Sequence, residues 1–350
     1  MSKKRVLVLG GNGFIGARTI RALDESGWAL PIAASRHPRT APPGGTAPPG
    51  GTAPPGGTAP PGGTAPSGAT AIRLDATDPS ALRAALADVA VVVNCVAGDA
   101  RSITGSARAL AESVAGMAQP PQIVHLSTMA VYGAAVGDVR EDAALSGEQG
   151  AYAEAKVEAE RLIAGCPAPV ILRPGIVYGP GSAQWSQRIG HWLAQRRLGD
   201  LGRMGDGFAN LVHVDDVATA ILLAIQGGGA GAQRIFNLSM PQPPTWNEYF
   251  FLYAKALGFV PIARITARRL KIEIKLLAPP LKIAQLIAAR ISPAVARRIP
   301  DPVPPSLVRL FQHEIKMNVD AAERILGIKW LPLEVGLRGT AEWYRATQRP

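Results

Sequence analysis

A chain of 350 residues, 47% of them hydrophobic, can build one large domain or two modest ones. No stretch reaches about 18 uninterrupted apolar residues, and the apolar run behind Ser2-Lys3-Lys4-Arg5 is too short for a secretory leader, so neither a membrane span nor export is expected. The net charge of +11 comes with no nucleic-acid-binding motif, and two cysteines without a leader, Cys95 and Cys166, predict free thiols in a reduced cytoplasm.

Arg5-Val6-Leu7-Val8-Leu9 reads as a buried strand. It runs into Gly10-Gly11-Asn12-Gly13-Phe14-Ile15-Gly16, and a helical pattern with Ile20, Ala22 and Leu23 follows. Strand, glycine turn and helix in that order give the G-x-x-G-x-x-G spacing its meaning. Gly10 permits a tight turn, Gly13 lets the backbone approach a pyrophosphate, and Gly16 lets the helix lie close to the strand. Free N–H groups at the helix start then face the phosphates. A tight turn without a ligand is the alternative reading.

A second strand, Leu30 to Ser35, ends where the adenosine ribose is expected. A carboxylate there favours NAD. This chain has Ser35-Arg36-His37 instead, and Arg36 suits a 2′-phosphate, so NADP is the expected cofactor and NAD the alternative. Residues 40–67 follow as a low-complexity insert, in which T-A-P-P-G-G recurs four times from Thr40. That composition cannot bury a core and predicts a surface loop, with the usual bridging helix missing or displaced.

The sheet resumes at Thr70–Leu74. Asp75 is placed to meet adenine, and Asp78-Pro79-Ser80 reads as a helix cap with proline in the first turn. Val89–Ala97 predicts a central parallel strand, Ile103–Met117 a helix, and Gln122–Leu126 a strand ending at Ser127-Thr128. Alternating strands and helices predict an open parallel sheet with right-handed crossovers.

Tyr152-Ala153-Glu154-Ala155-Lys156 opens a further helix. Residues four apart share a helix face, so Tyr152 and Lys156 point the same way. A phenol is a poor acid at neutral pH, with an ordinary pKa of about 10. A neighbouring ammonium stabilises the phenolate and brings the pKa into use for a proton transfer that accompanies hydride transfer. Alone, such a pair is more often a surface feature; here it follows a nucleotide fingerprint and a polar strand end.

These motifs, with Ser127–Gly133, Leu172-Arg173-Pro174-Gly175-Ile176-Val177-Tyr178-Gly179-Pro180-Gly181 and Val212-His213-Val214-Asp215-Asp216-Val217-Ala218, resemble the extended short-chain dehydrogenase/reductases of the NAD-dependent epimerase/dehydratase family over the first 240 residues or so. The resemblance implies a doubly wound parallel Rossmann α/β sheet with a smaller C-terminal substrate lobe. The nucleotide-binding part is expected at 1–180, completed by 208–240, and the lobe at 181–207 and 241–350. The resemblance makes Thr128 the residue that hydrogen-bonds the substrate oxygen, Tyr152 the acid/base and Lys156 its partner at the nicotinamide ribose. It places Gly10, Asn12, Gly13, Phe14, Ile15, Gly16, Arg36, Asp75, Ala76, Ala97, Lys156, Pro174 and Val177 along the cofactor, with no metal. Asp215 and Asp216 are expected to cap a helix beginning near Val217.

The departures bear on substrate. Ser102 stands where the family often has asparagine at the start of a helix, which puts an amide-based proton relay in doubt. The preceding loop, Gly98-Asp99-Ala100-Arg101, is short, and Phe208-Ala209-Asn210-Leu211 occupies the place of an arginine that holds a diphosphate in sugar-nucleotide enzymes; Arg203 is a conceivable substitute. Ser182–Gly207 is the expected substrate wall. Trp185 and Trp192, seven apart, suit one helix face, and His191 reads as structural.

The stretch from Arg264 to Arg298 is strongly basic, with Glu273 its one acid. It reads either as two short helices closing the lobe, the favoured version, or as a peripheral contact with an anionic membrane. Asp320 to Pro332 resembles the family's C-terminal helix with a glycine stop, and Glu334 to Trp343 reads as a last helix. The expected function is NADP-preferring oxidation of a secondary alcohol, or reduction of its ketone, on a small-molecule substrate, with a homodimer in keeping with the family. Epimerisation or dehydration of a nucleotide sugar uses the same parts, and a non-catalytic nucleotide-binding protein is the third reading.

Overall fold

The computed structural model describes residues 3–37, 69–227, 234–273 and 303–348, with Pro280, Leu281, Ile283, Ala284 and Ile287. The T-A-P-P-G-G insert and most of the basic stretch after Glu273 lie outside the described residues.

Seven parallel strands form the main sheet: β1 (Lys4–Leu9), β2 (Ala29–Ser35), β3 (Thr70–Arg73), β4 (Val91–Asn94), β5 (Gln122–Leu126), β7 (Val170–Pro174) and β10 (Ile235–Leu238), in spatial order β10-β7-β5-β4-β1-β2-β3. Two small parallel pairs stand apart from it: β6 (Gly137–Val139) with β11 (Ile315–Met317), and β8 (Ile176–Tyr178) with β9 (Leu211–His213). From β1 the chain winds outward in one direction through β2 and β3. From β4 it winds in the other. The reversal leaves a crevice at the carboxyl ends of β1 and β4, where open α/β sheets take ligands.

The alternation inside β1 explains how both faces are covered. Val6 and Val8 pack with Ile20 and Leu23 of α1 (Phe14–Glu25) and with Val217, Ile221 and Ala224 of α6 (Val214–Gln226). Leu7 and Leu9 point to the opposite side, as the two-residue period of a strand requires. There they meet Leu82 of α2 (Pro79–Ala85), Ile103 and Leu110 of α3 (Ala100–Val114), and Ala155, Ala159 and Ile163 of α4 (Ala151–Ala164). All four β1 side chains are fully buried. At about 25 cal/mol per Å² of apolar area removed from water, such side chains contribute roughly 1.5–3 kcal/mol each.

A separate aromatic core builds the C-terminal part. Trp246, Tyr249, Phe250 and Tyr253 of α7 (Trp246–Leu257) meet Trp192 of α5 (Arg188–Ala194), and the core takes in Leu307 of α9 (Pro305–Leu310), Phe311 just after it, and Tyr344 of α10 (Leu333–Gln348). The Trp246 and Phe311 rings lie 4.8 Å apart. The short helix α8 (Ala267–Ile272) precedes Glu273, which is buried in an ion pair with Arg197 rather than facing solvent.

Several sequence expectations are corrected here. The apolar run Val89–Ala97 yields only the four-residue strand β4, because the Asn94 side chain accepts from the Val96 amide at 3.1 Å and bends the chain out of the sheet. Helix α6 starts at Val214, not near Val217, because His213 is its cap and its ring accepts from the Asp215 amide at 3.3 Å. Asp215 instead pairs with Arg18 across to α1, and Asp216 accepts from the Leu331 amide at 3.2 Å. Trp185 and Trp192 both pack against the aromatic core. Trp185 lies in a π-turn, Ala183–Gln187, that runs into α5, and is half-buried against Trp246, while Trp192 is fully buried. In 320–332 the expected helix is short: residues 320–326 are helical, ending in a π-turn, Ala322–Leu326, that stops at the left-handed Gly327 as expected.

Candidate active site at the carboxyl ends of the strands

The β1–α1 turn is built from backbone. Gly10 has φ +74°, a left-handed conformation that suits glycine, and its amide donates to the Ala34 carbonyl at 3.1 Å. A Cβ on Gly16 would collide with the Gly10 carbonyl, so the close approach of helix to turn requires glycine there. Helix α1 opens on Gly13 with no capping side chain and no acidic residue in its first turn. By contrast α2 is capped by Asp78, as its sequence predicts, α3 by Asp99, and α7 by a Thr245–Glu248 capping box. An uncapped, partly positive helix start beside a glycine turn fits a pyrophosphate. Phe14 and Ile15 sit in that first turn.

Asn12 turns out to act within the protein. Its amide donates to the Ser35 hydroxyl at 2.9 Å and to the His37 carbonyl at 2.8 Å, tying the turn to the end of β2. Arg36 lies between these two anchors, exposed, and forms no ion pair within 4 Å among the described residues. Asp75 folds back on its own loop, accepting from the Thr77 amide at 3.0 Å and the Thr77 hydroxyl at 2.8 Å. These donors hold its carboxyl below the usual range, with a smaller contribution from Arg36. Ala76 is half-buried beside it, and Ala97 is exposed just beyond β4. Pro174 ends β7 and is buried; Val177, in β8, is half-buried.

Three side chains meet above β5. Thr128 caps a 3₁₀ turn, Met129–Val131, its hydroxyl accepting from the Ala130 amide at 3.3 Å. Tyr152, in the first turn of α4, is 46% exposed, and its hydroxyl lies on the Thr128 side, near enough for Thr128 to pull its pKa down against the effect of burial. Lys156, one turn on, is buried and its Nζ donates to the Leu126 carbonyl at 2.7 Å. Burial pushes its pKa down to about 8, against the opposing pull of Cys95 and Glu160.

Burial of the hydroxyl raises the Tyr152 pKa, and Thr128 pulls it down. The ammonium is aimed at the end of β5, where the sheet offers it a carbonyl.

Sequence reasoning passed over the groups around this lysine. Asn94 and His125 are register partners on β4 and β5, and both are buried, as is Ser127. The Asn94 amide nitrogen, both His125 ring nitrogens and the Ser127 hydroxyl have no hydrogen-bond partner among the described residues. Burial, then the Lys156 charge, pushes His125 down to about 3, so it is neutral. The signal was available in the alternation of Gln122–Leu126, which puts His125 on the same face as Ile123. Arg173 in the apolar run Val170–Pro174 was a second such signal.

The substrate side lacks a diphosphate clamp where one was sought. Asn210 is fully buried, its side chain donating to the Ile315 carbonyl at 2.8 Å and accepting from the Met317 amide at 2.9 Å. It joins the start of β9 to β11 and is closed off from solvent. Arg203 is exposed on a separate 3₁₀ turn, Gly202–Gly205. His191 meets Gln348 at 3.2 Å and the Tyr344 ring at 5.4 Å, a packing role.

The profile of the NAD dependent epimerase/dehydratase family matches residues 6–239, and the chain belongs to that family. It is 27% identical to a 2-alkyl-3-oxoalkanoate reductase of Stenotrophomonas maltophilia (strain K279a), with 73% of this chain and 76% of that protein covered. It is 29% identical over 143 residues to Protein YeeZ of Escherichia coli (strain K12); the match takes in 40% of this chain and about half, 48%, of YeeZ. Two solved structures share the fold: UDP-glucuronic acid 4-epimerase from Bacillus cereus in complex with NAD (TM-score 0.67, 17% identity, 99% and 100% of the chains covered) and the human epimerase family protein SDR39U1 with NADPH (TM-score 0.63, 20% identity, 97% and 99% covered). A nicotinamide dinucleotide is thus the cofactor class. No helix among the described residues is long and apolar enough to cross a membrane.

Proposed function

We propose that this chain is an NADP(H)-preferring oxidoreductase that interconverts a ketone and a secondary alcohol on a substrate without a diphosphate. The observation that carries the reading is the Thr128–Tyr152 pair at the mouth of the crevice, with Lys156 buried below it. The uncapped start of α1 and the glycine turn would hold the pyrophosphate, and Arg36 the 2′-phosphate. When bound, the dinucleotide supplies or accepts the hydride. In the reducing direction Tyr152 gives its hydroxyl proton to the carbonyl oxygen, so hydride and proton together make the alcohol. The Thr128 hydroxyl holds that oxygen in place. Lys156 contributes a positive charge beneath the site, which favours the phenolate left behind.

Two further observations support an aliphatic ketone without a diphosphate over a sugar nucleotide. Phe208-Ala209-Asn210-Leu211 brings no cation to the place where an arginine was sought, so a buried diphosphate would lack its counter-charge there. The partial likeness to a 2-alkyl-3-oxoalkanoate reductase points to the same substrate chemistry. Family membership keeps epimerisation or dehydration as the second reading. A panel of hydrophobic ketones and nucleotide sugars, each with NADPH and NADH, separates the two. Net NADPH oxidation with a ketone supports the proposal; sugar-nucleotide conversion without net cofactor change rejects it.

A further inference from the structure

Two stretches of the family signature have no part in that chemistry: Tyr132 in Val131-Tyr132-Gly133, and Arg173 in Leu172-Arg173-Pro174. The structure joins them to the catalytic helix. Arg173 grips Glu160 of α4 with two prongs, Nε to Oε1 at 3.0 Å and Nη2 to Oε2 at 2.7 Å, and both side chains are almost wholly buried. Its Nη1 donates to the Tyr132 hydroxyl and to the Glu141 carbonyl, each at 2.8 Å. Tyr132 donates onward to the Asn237 side chain at 2.6 Å, and the Asn237 amide donates to the carbonyls of Val139 at 3.1 Å and Asn318 at 3.0 Å. One network thus links α4, β7, β10, the turn after Thr128 and the β6–β11 pair.

We propose that the Arg173–Glu160 ion pair is a positioning device for Lys156: it locks the middle of α4 to the sheet and balances the one carboxylate that faces the reactive ammonium. The proposal rests on the oxidoreductase reading of Tyr152 and Lys156. Glu160 lies one helical turn beyond Lys156, on the same face. The other titratable groups near Lys156 carry no charge: His125 on β5 is neutral, and burial pushes the Cys95 thiol, after β4, up to about 12. On the α3 side, Arg108 pairs with Glu158 at the exposed surface of α4. The carboxylate that pulls on Lys156, alongside Cys95, is therefore Glu160, and Arg173 holds Glu160. A buried ion pair is often replaceable by apolar residues without loss of stability, so stability alone gives a weak reason for this one.

The test is a pH titration of the Lys156 Nζ resonance by NMR in the nucleotide-free protein, with the alkaline limb of kcat/KM measured in parallel. Glu160→Gln removes the attraction, and the midpoint falls by about one pH unit. Arg173→Met leaves the carboxylate unopposed, and the midpoint rises. The double variant Glu160→Met/Arg173→Met removes both charges and returns the midpoint towards wild type, which keeps the test available if Arg173→Met alone does not fold. Shifts of opposite sign support the proposal. Unmoved midpoints, or shifts of one sign in both single variants, overturn it, because a purely structural pair has no reason to move them in opposite directions. If Tyr152→Phe retained turnover while the opposite shifts were observed, the reaction assignment would fall and the electrostatic device would stand.

Discussion

Helix α4 presents two polar groups two turns apart that are treated in opposite ways. Tyr152, in the first turn, is half exposed and meets one side chain, Thr128. Glu160 is 3% exposed and held by a guanidinium whose remaining donors are also engaged. A group left accessible and lightly bonded is free to exchange a proton with a ligand. A group saturated with partners can only hold position. On the proposed reading the same helix carries the reaction at its start and its own anchorage further along, and Lys156 stands between them.

Replacing the accessible member should cost activity and little else. Tyr152→Phe is expected to lower kcat/KM by about 10²–10⁴-fold, the usual contribution of a positioned proton donor. Stability should change by less than about 0.5 kcal/mol, since the lost hydroxyl anchors no core. Kinetics and a denaturant titration on the same preparation check both halves.

Breaking the anchored member should do the reverse first. Arg173→Met strands a buried carboxylate and is expected to destabilise by about 3–5 kcal/mol, with the double change at Glu160 recovering most of it. Urea unfolding of the single and double variants decides this; equal stabilities would show that the pair is not a unit.

His125 sharpens the contrast, being buried with neither access nor partner. Its folded pKa of about 3 lies below its unfolded value, so between these the unfolded chain binds the extra proton. Stability from this group is therefore lost as pH falls from about 6.5 towards 3, by about 2 kcal/mol at pH 5. His125→Leu should flatten that acid limb and also remove two unsatisfied ring nitrogens. Unfolding free energies at about pH 7 and about pH 5 give the comparison. The smallest effect is expected at the outer edge of the crevice: Arg36→Ser should weaken NADPH by about tenfold, or 1.4 kcal/mol, and leave NADH unchanged in a fluorescence titration.

The strands were legible because their apolar runs are short and bounded by turns. Gln122–Leu126 is a strand over the expected residues, and Asp78 caps the expected helix. The pairing of Tyr152 with Lys156 on one helix was legible from spacing alone. What each touches was not. That Lys156 meets the Leu126 carbonyl depends on how α4 packs across β5, a tertiary fact with no local signature. The same holds for Arg173, whose partners come from residues 132, 141 and 160. The start of α6 was misplaced because a histidine cap is a weak signal beside two aspartates, whose carboxylates are drawn to Arg18 and to the Leu331 amide. Asn210 reads as a gap in a binding motif and is in fact a bridge between β9 and β11.

The central claim is that Tyr152 and its neighbours couple a proton to hydride transfer with net turnover of the dinucleotide. Reduction of a hydrophobic ketone with NADPH deuterated at the transferable position tests it most directly, with the product examined by mass spectrometry. The account predicts one deuterium on the carbinol carbon, one NADPH consumed per alcohol formed, and near loss of product in Tyr152→Phe. Turnover of a nucleotide sugar with no NADPH consumed, or labelled alcohol formed by Tyr152→Phe at the wild-type rate, would contradict it.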